Sequence, residues 1–220
     1  MIREMKISGE DLAKGRIKII YEKFISSQIS QHVSNFNWNR LHLDVFPNYL
    51  KTFNYKLSTD ILPCKTKFVD FALDNDSKCN FCMVYPDSTY HLFSHCPVLN
   101  FLWQKLDKVM EIMVYEFRFT NAKRKSLADF LSVKIPQNEF RHVIYLNSIT
   151  NYRIWIISRN IQYDDIVFES KLILSAIVKA ISSRMAMERS DRMTHCQKID
   201  DLERLLIAVK SAFFPPSGIG

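Results

Sequence analysis

A mostly α-helical fold, in which a cross-linked helical module precedes a helical bundle, is what this sequence predicts, and three observations carry the prediction. Only four of its 220 residues are glycine, and Gly9, Gly15, Gly218 and Gly220 leave every position from 16 to 217 without one. Apolar residues recur three and four apart through most of the chain, the period of a helix face. Hydrophobic residues make up 47%, enough for a folded core.

The glycine distribution also excludes functions. Walker-type and dinucleotide-binding loops need glycine where the backbone approaches a phosphate, and tight hairpins use it at positive φ. Nucleotide-dependent enzymes on those scaffolds, and sheet-rich folds with many tight turns, are therefore not expected. No uncharged apolar stretch approaches the roughly 20 residues that cross a bilayer, so no membrane span is expected. Met1-Ile2-Arg3-Glu4-Met5-Lys6 lacks the apolar core of a secretory signal, which points to an intracellular protein of nucleus or cytoplasm.

The elements follow in order. Ser8 as cap, with Asp11 three residues on, opens a long helix to about residue 33 carrying Leu12, Ile19, Ile20, Phe24 and Ile29. After a break at 36–39, Pro47 sits in the first turn of a helix with Leu50, Phe53, Tyr55 and Leu57 that runs toward Asp60 and stops at Leu62-Pro63. Residues 65–73 form a short helix, and 74–77 are a turn cluster. Asp87-Ser88 caps another short helix from Thr89, and Pro97 opens one with Leu99, Leu102, Trp103, Leu106, Val109 and Met110, capped by Cys96. Two long helices, 139–160 and about 167–189, form an antiparallel pair, and a last one spans about 199–213. The domain reading is a helical metal-binding module at 1–118, a basic linker at 119–138 with one short helix over 127–133, a helical bundle at 139–214, and a disordered tail at 215–220.

One cluster carries chemistry. Cys79-Asn80-Phe81-Cys82 is followed by His91 and Cys96, a C-x2-C-x8-H-x4-C spacing. Two cysteines separated by two residues can aim both sulfurs at one point, and two ligands from the next element close a tetrahedron, the arrangement that zinc takes. A disulfide is disfavoured by the intracellular setting and the odd total of five cysteines. His95 competes with His91 for the fourth position, but its adjacency to Cys96 makes joint tetrahedral coordination awkward, and His91 is preferred. Four protein ligands leave no open position, so the Zn2+ is structural and staples the module. Cys64 and the His195-Cys196 pair have no partner at ligand spacing and are read as ordinary packing.

These residues resemble a known family. Cys79-Asn80-Phe81-Cys82, then Ser88-Thr89-Tyr90-His91-Leu92-Phe93-Ser94-His95-Cys96-Pro97 and Trp103, are similar to the zinc-binding domain in the C-terminal region of reverse transcriptases from non-LTR (LINE-type) retrotransposons. Leu50 to Leu57, Ile61-Leu62-Pro63 and Lys67-Phe68 resemble the same family's upstream helix and Leu-Pro turn, with Tyr55 where that family usually has Trp. Ile154-Trp155 and Arg159-Asn160, with Phe168-Glu169 after them, resemble a helix that follows the zinc site in these elements. The resemblance implies that Cys79, Cys82, His91 and Cys96 bind the metal and that Leu92, Phe93 and Trp103 pack beside it. It does not extend to polymerase chemistry: Tyr163-Asp164-Asp165 lacks the intervening residue of the polymerase Tyr-x-Asp-Asp signature and reads as a turn between helices.

Thirty Lys and Arg against 23 Asp and Glu give a net charge of +7, spread along the chain without a strongly basic arm. Lys65, Lys67 and Lys78 flank the metal region and Lys123-Arg124-Lys125 is the densest run, so these six are the candidate phosphate contacts. RNA or DNA is the expected partner, with a reverse transcriptase core as a further candidate. Phe81, Tyr85, Tyr90 and Phe93 are assigned to packing around the metal. The expected function is a noncatalytic, nucleic-acid-binding part of a reverse transcriptase; the alternative is a protein-interaction module whose helix faces between 139 and 213 dock on another chain.

Overall fold

In the computed structural model, residues 46–67, 77–113, 118, 137–164, 167–190 and 196–215 are described. Among them five α-helices and three short helical turns form, and no strand does. The expected helices at 8–33 and 127–133, the linker's basic run and most of the tail lie outside these residues.

Helix α1 is Asn48–Ser58. Pro47 stands just before it in an extended conformation (φ −64°, ψ 157°) as the cap, one position earlier than expected. Its carbonyl accepts the first helical hydrogen bond from the Lys51 amide and a further one from the Leu50 amide, which has no other partner inside the helix. The far end closes as a Schellman motif: the Ile61 amide donates to the Lys56 carbonyl (2.9 Å) and the Asp60 amide to Leu57 (3.2 Å). That motif needs a left-handed residue, usually glycine, and Asp60 supplies it at φ 54°. The Asp60 carboxylate explains the choice, because it accepts from the Thr89 hydroxyl and pairs with Lys67.

A 3-10 turn at Lys65–Lys67 is the described part of the short helix expected at 65–73. A 3-10 turn at Pro97–Leu99 leads into α2, Asn100–Ile112. Leu102, Trp103, Leu106, Val109 and Met110 are its buried residues, a single stripe at helical period. The remaining helices are α3 (Gln137–Asp164), α4 (Ser170–Ser190) and α5 (Cys196–Phe213). Each matches an expected helix, and α3 overruns its expected range at both ends.

Helix α3 is the centre, touching α1, α4 and α5. Early residues of α3 (Arg141, His142, Tyr145) lie beside Arg184 and Glu188 near the end of α4, while Tyr152 and Arg153 lie beside Ala180. The two helices are thus antiparallel. Helix α5 packs on both α4 and α2, and the Lys105 ammonium of α2 donates to the Ala212 carbonyl at the end of α5 (3.0 Å), where the helix dipole favours a cation. All but two (Ile61 and Cys64) of the described buried apolar residues from Phe46 to Phe213 form one continuous cluster, so the metal-binding module and the bundle share a core.

Candidate metal centre

The first cysteine pair sits at the turn of a small hairpin-like loop. Lys78 and Pro86 form an isolated antiparallel bridge, the Cys79 amide donates to the Tyr85 carbonyl (2.8 Å), and the Asp87 amide donates to Ser77 (2.7 Å). The loop turns because Met83 takes φ 54° and gives its amide to the Cys79 carbonyl (2.9 Å). One tight turn thus forms without glycine, within a fold that has no strand among the described residues. A non-glycine residue in that region costs about 1–2 kcal/mol, small beside the energy that a structural metal supplies.

The second ligand pair comes from a wide turn. The Ser88 hydroxyl accepts from the His91 amide (3.1 Å), so Ser88 is the helix cap, as the sequence indicates. The helix from Thr89 then widens to a π-helix over His91–His95, closed by the Cys96 amide donating to the His91 carbonyl (2.8 Å). Cys96 leaves helical geometry at ψ 116°. Pro97 dictates this, because its ring disfavours a helical residue before it. The break turns the Cys96 thiol back toward the histidine one wide turn earlier.

Cys79, Cys82, His91 and Cys96 meet, with their ligand atoms all within 4.8 Å of one another. Cys79 Sγ lies 4.0 Å from Cys96 Sγ, and Cys82 Sγ lies 3.3 Å from His91 Nε2. A zinc tetrahedron with bonds of about 2.0–2.3 Å has edges of about 3.5–3.8 Å, so the two measured edges bracket the ideal ones. The 4.0 Å sulfur separation is about twice a disulfide bond, and these cysteines are free thiols. Three ligands are buried and Cys82 is half-buried, which leaves one edge of the site near solvent. Donor type, number and spacing all fit a closed Cys3His zinc site.

The surroundings prepare the sulfurs. A hydrogen bond from the Cys96 thiol, followed by the amides of Cys82 and Phe81, holds the Cys79 thiol well below its ordinary range against the opposing effect of burial. Cys96, as the donor in that pair and buried, is pushed the other way. Cys64 is buried outside the cluster, and burial, with the Asp87 charge beside it, raises its thiol to about 12. A thiol so far from ionising is a packing group.

Asp87 has a role that its reading as a helix cap missed. Its carboxylate has no solvent exposure, and Oδ2 accepts from the Lys65 amide (2.9 Å) and from Arg159 Nη2 of α3 (2.6 Å). Asn80, inside the first cysteine pair, donates to the Ser158 carbonyl (2.8 Å), and Phe81 meets Phe168 edge-on at 4.9 Å. The metal loop is therefore bolted to α3 by the Ser158-Arg159 step and to the start of the next helix by Phe168. The only sequence signal for this was the resemblance at residues 154–169.

The other expected site residues are scattered. Lys65 is only 6% exposed, which corrects its assignment as a phosphate contact: its backbone is tied to Asp87 and the residue is enclosed. Lys67 pairs with Asp60, Lys78 is exposed on the loop, and Lys123, Arg124 and Lys125 lie outside the described residues. His95 is exposed and stacks on Tyr90 at 4.1 Å, away from the ligand cluster. Phe81 and Phe93 are buried as expected, whereas Tyr85 and Tyr90 are 53% and 55% exposed, so two of the four aromatics assigned to packing present ring surface to solvent.

No helix among the described residues is long and apolar enough to cross a membrane. No curated protein and no solved structure matches the chain. Residues 16–103 match a family model described as zinc-binding in reverse transcriptase; no catalytic domain is identified. All four ligands fall inside that match, in a spacing and geometry suited to zinc. Residues 16–103 are a zinc-binding domain of the reverse-transcriptase type.

Proposed function

We propose that this chain is a noncatalytic C-terminal part of a non-LTR retrotransposon reverse transcriptase (an RNA-directed DNA polymerase) and that it binds RNA or DNA. The observation that carries the reading is the closed Cys3His cluster inside a segment that matches the zinc-binding domain of reverse transcriptase. With four protein ligands and no open position, the metal supplies shape and not chemistry. The role of the domain is to hold template RNA or target DNA beside polymerase and endonuclease parts carried elsewhere, inside the cell. The net charge of +7, the exposed Lys78, and the half-exposed rings of Tyr85 and Tyr90 beside the site support it, since phosphate charge and base stacking are the two sequence-tolerant sources of affinity.

The alternative, an assembly module, draws on the apolar helix faces after residue 139. Those faces are largely used within the chain, because α4 closes on α5 and α5 on α2.

The test is a salt titration of binding by the zinc-loaded chain to single-stranded RNA, single-stranded DNA and duplex DNA. A log–log salt slope steeper than about −2, equivalent to three or more phosphates at about −0.7 each, is expected for at least one of them. Weak binding that ignores salt overturns the reading. Self-association of the chain without nucleic-acid affinity favours the assembly module.

A further inference from the structure

Where α1, α3 and α4 meet, a cavity of about 290 Å³ is lined by Tyr49, Tyr152, Arg153, Ser183, Arg184 and Met187, among others. Two guanidinium-bearing side chains and two phenol rings are an unusual lining for a seam between helices, which is ordinarily apolar. Arg184 has a carboxylate partner in Glu188. Arg153 has none among the described residues, and its Nε is buried without a hydrogen-bond partner. Its guanidinium lies 5.7 Å over the Tyr152 ring, a cation–π contact that offsets only part of the cost of enclosing a charge. A half-enclosed guanidinium that lines a cavity and has no carboxylate beside it among the described residues is a group that an anion can neutralise.

The rings make a second demand. Tyr49 and Tyr152 stand with centroids 4.9 Å apart and planes tilted by 48°, so they do not stack on each other fully. Tyr49 is 42% exposed, leaving ring surface at the cavity mouth. Its volume is at the small end for ligand clefts, which start at about 300 Å³; it suits one flat ring with an attached anion and excludes a larger ligand.

We propose that this cavity takes one nucleotide unit of a single-stranded nucleic acid, its base against Tyr49 and Tyr152, its phosphate on Arg153 and Arg184, and the Ser183 hydroxyl within the pocket for a base edge or sugar. The proposal rests on the nucleic-acid-binding reading and adds to it a site apart from the metal and from the flanking lysines. Tyr49 belongs to the zinc-binding segment, whereas Arg153 and Arg184 lie beyond it, so the two parts build the site jointly.

The experiment uses the full zinc-loaded chain, a labelled oligouridylate of roughly 12 nucleotides, and free uridine monophosphate as a second probe. Arg153→Gln and Tyr49→Ala each weaken oligonucleotide binding about tenfold, the scale of one lost phosphate or stacking contact, and Arg153→Gln also flattens the log–log salt slope by about 0.7. Met187→Glu, at a position 62% exposed, puts a like charge at the mouth and weakens binding without touching the core, while Tyr49→Phe retains affinity. Unchanged zinc content and melting confirm that each variant folds. Salt-dependent binding that none of these variants alters overturns the cavity proposal and leaves the nucleic-acid reading standing. Binding of the mononucleotide alone, lost in Arg153→Gln, keeps the cavity as a free-nucleotide site and overturns the strand assignment. Binding of neither probe overturns both.

Discussion

Arg159 Nη2 lies 2.6 Å from Oδ2 of Asp87, joining the last turns of the long helix α3 to the loop that carries the metal ligands. The carboxylate is fully enclosed and the arginine side chain is 12% exposed. Removing one member of such a pair leaves the other as an uncompensated buried charge. Asp87→Ala and Arg159→Ala are each expected to cost about 3–5 kcal/mol, measured by denaturant unfolding of the zinc-loaded protein. The double variant should lose clearly less than the sum. Additive losses would show that the two side chains act independently.

Zinc should decide whether the fold exists. A structural zinc contributes about 10–16 kcal/mol, against a typical domain stability of about 5–15 kcal/mol. Chelation is expected to abolish the cooperative melting transition of the region from 65 to 110, with the loss spreading to α3 through Asn80 and Asp87. Cys82→Ala removes one of four ligands, about a quarter of that energy, and should lower zinc affinity by about two to three orders of magnitude. Cys64→Ala should keep one zinc per chain by metal analysis. Unchanged helicity and melting after metal removal would contradict the structural role.

The buried Cys64 thiol gives a pH signature separate from the metal. Its folded pKa is raised from 9.0 to about 12, so the folded state holds this proton more tightly than the unfolded state does. The contribution to stability is complete below about pH 9 and is lost as pH rises from there toward 12. The melting temperature of the zinc-loaded protein should fall over that window, and Cys64→Ala should fall less steeply. Identical slopes would place the alkaline loss elsewhere.

Met83 is the place where the loop tolerates a conformation that side chains disfavour. Met83→Gly should stabilise the zinc-loaded protein by about 0.5–1 kcal/mol, and Met83→Val should destabilise it by more than about 1 kcal/mol. Differential unfolding curves measure both, with zinc stoichiometry as the control. A loss of stability with glycine would mean that the Met83 side chain, 56% exposed, contributes packing that offsets the strain.

The sequence made some of this legible and concealed the rest, for physical reasons. The ligands were legible because metal geometry constrains spacing directly, and Pro97 and Ser88 announced the ends of their turns through local chemistry. The helices from α2 onward were legible through periodicity, with errors only at their ends. The hairpin-like loop was not, because its turn rests on Met83 and not on a glycine, and a tight metal-anchored turn overrides conformational preference. The role of Asp87 was hidden because an aspartate before a serine and threonine reads equally well as a cap; only the fold brings Arg159 to it from 72 positions away. Lys65 and Tyr90 were misjudged in opposite directions, since exposure is set by the elements packed around a residue and leaves no mark on the residue itself.

The segment that matches the family ends at residue 103, one turn into a helix that continues to Ile112. Leu106, Val109 and Met110, all without solvent exposure, lie past that boundary on a helix that packs against α5, whose last turn Lys105 clasps. A recombinant fragment trimmed to the matched limits would sever this helix mid-course and bare the surface that the closing helix shields. Such a piece would aggregate even with its cation bound, so the smallest soluble unit runs through to about residue 214.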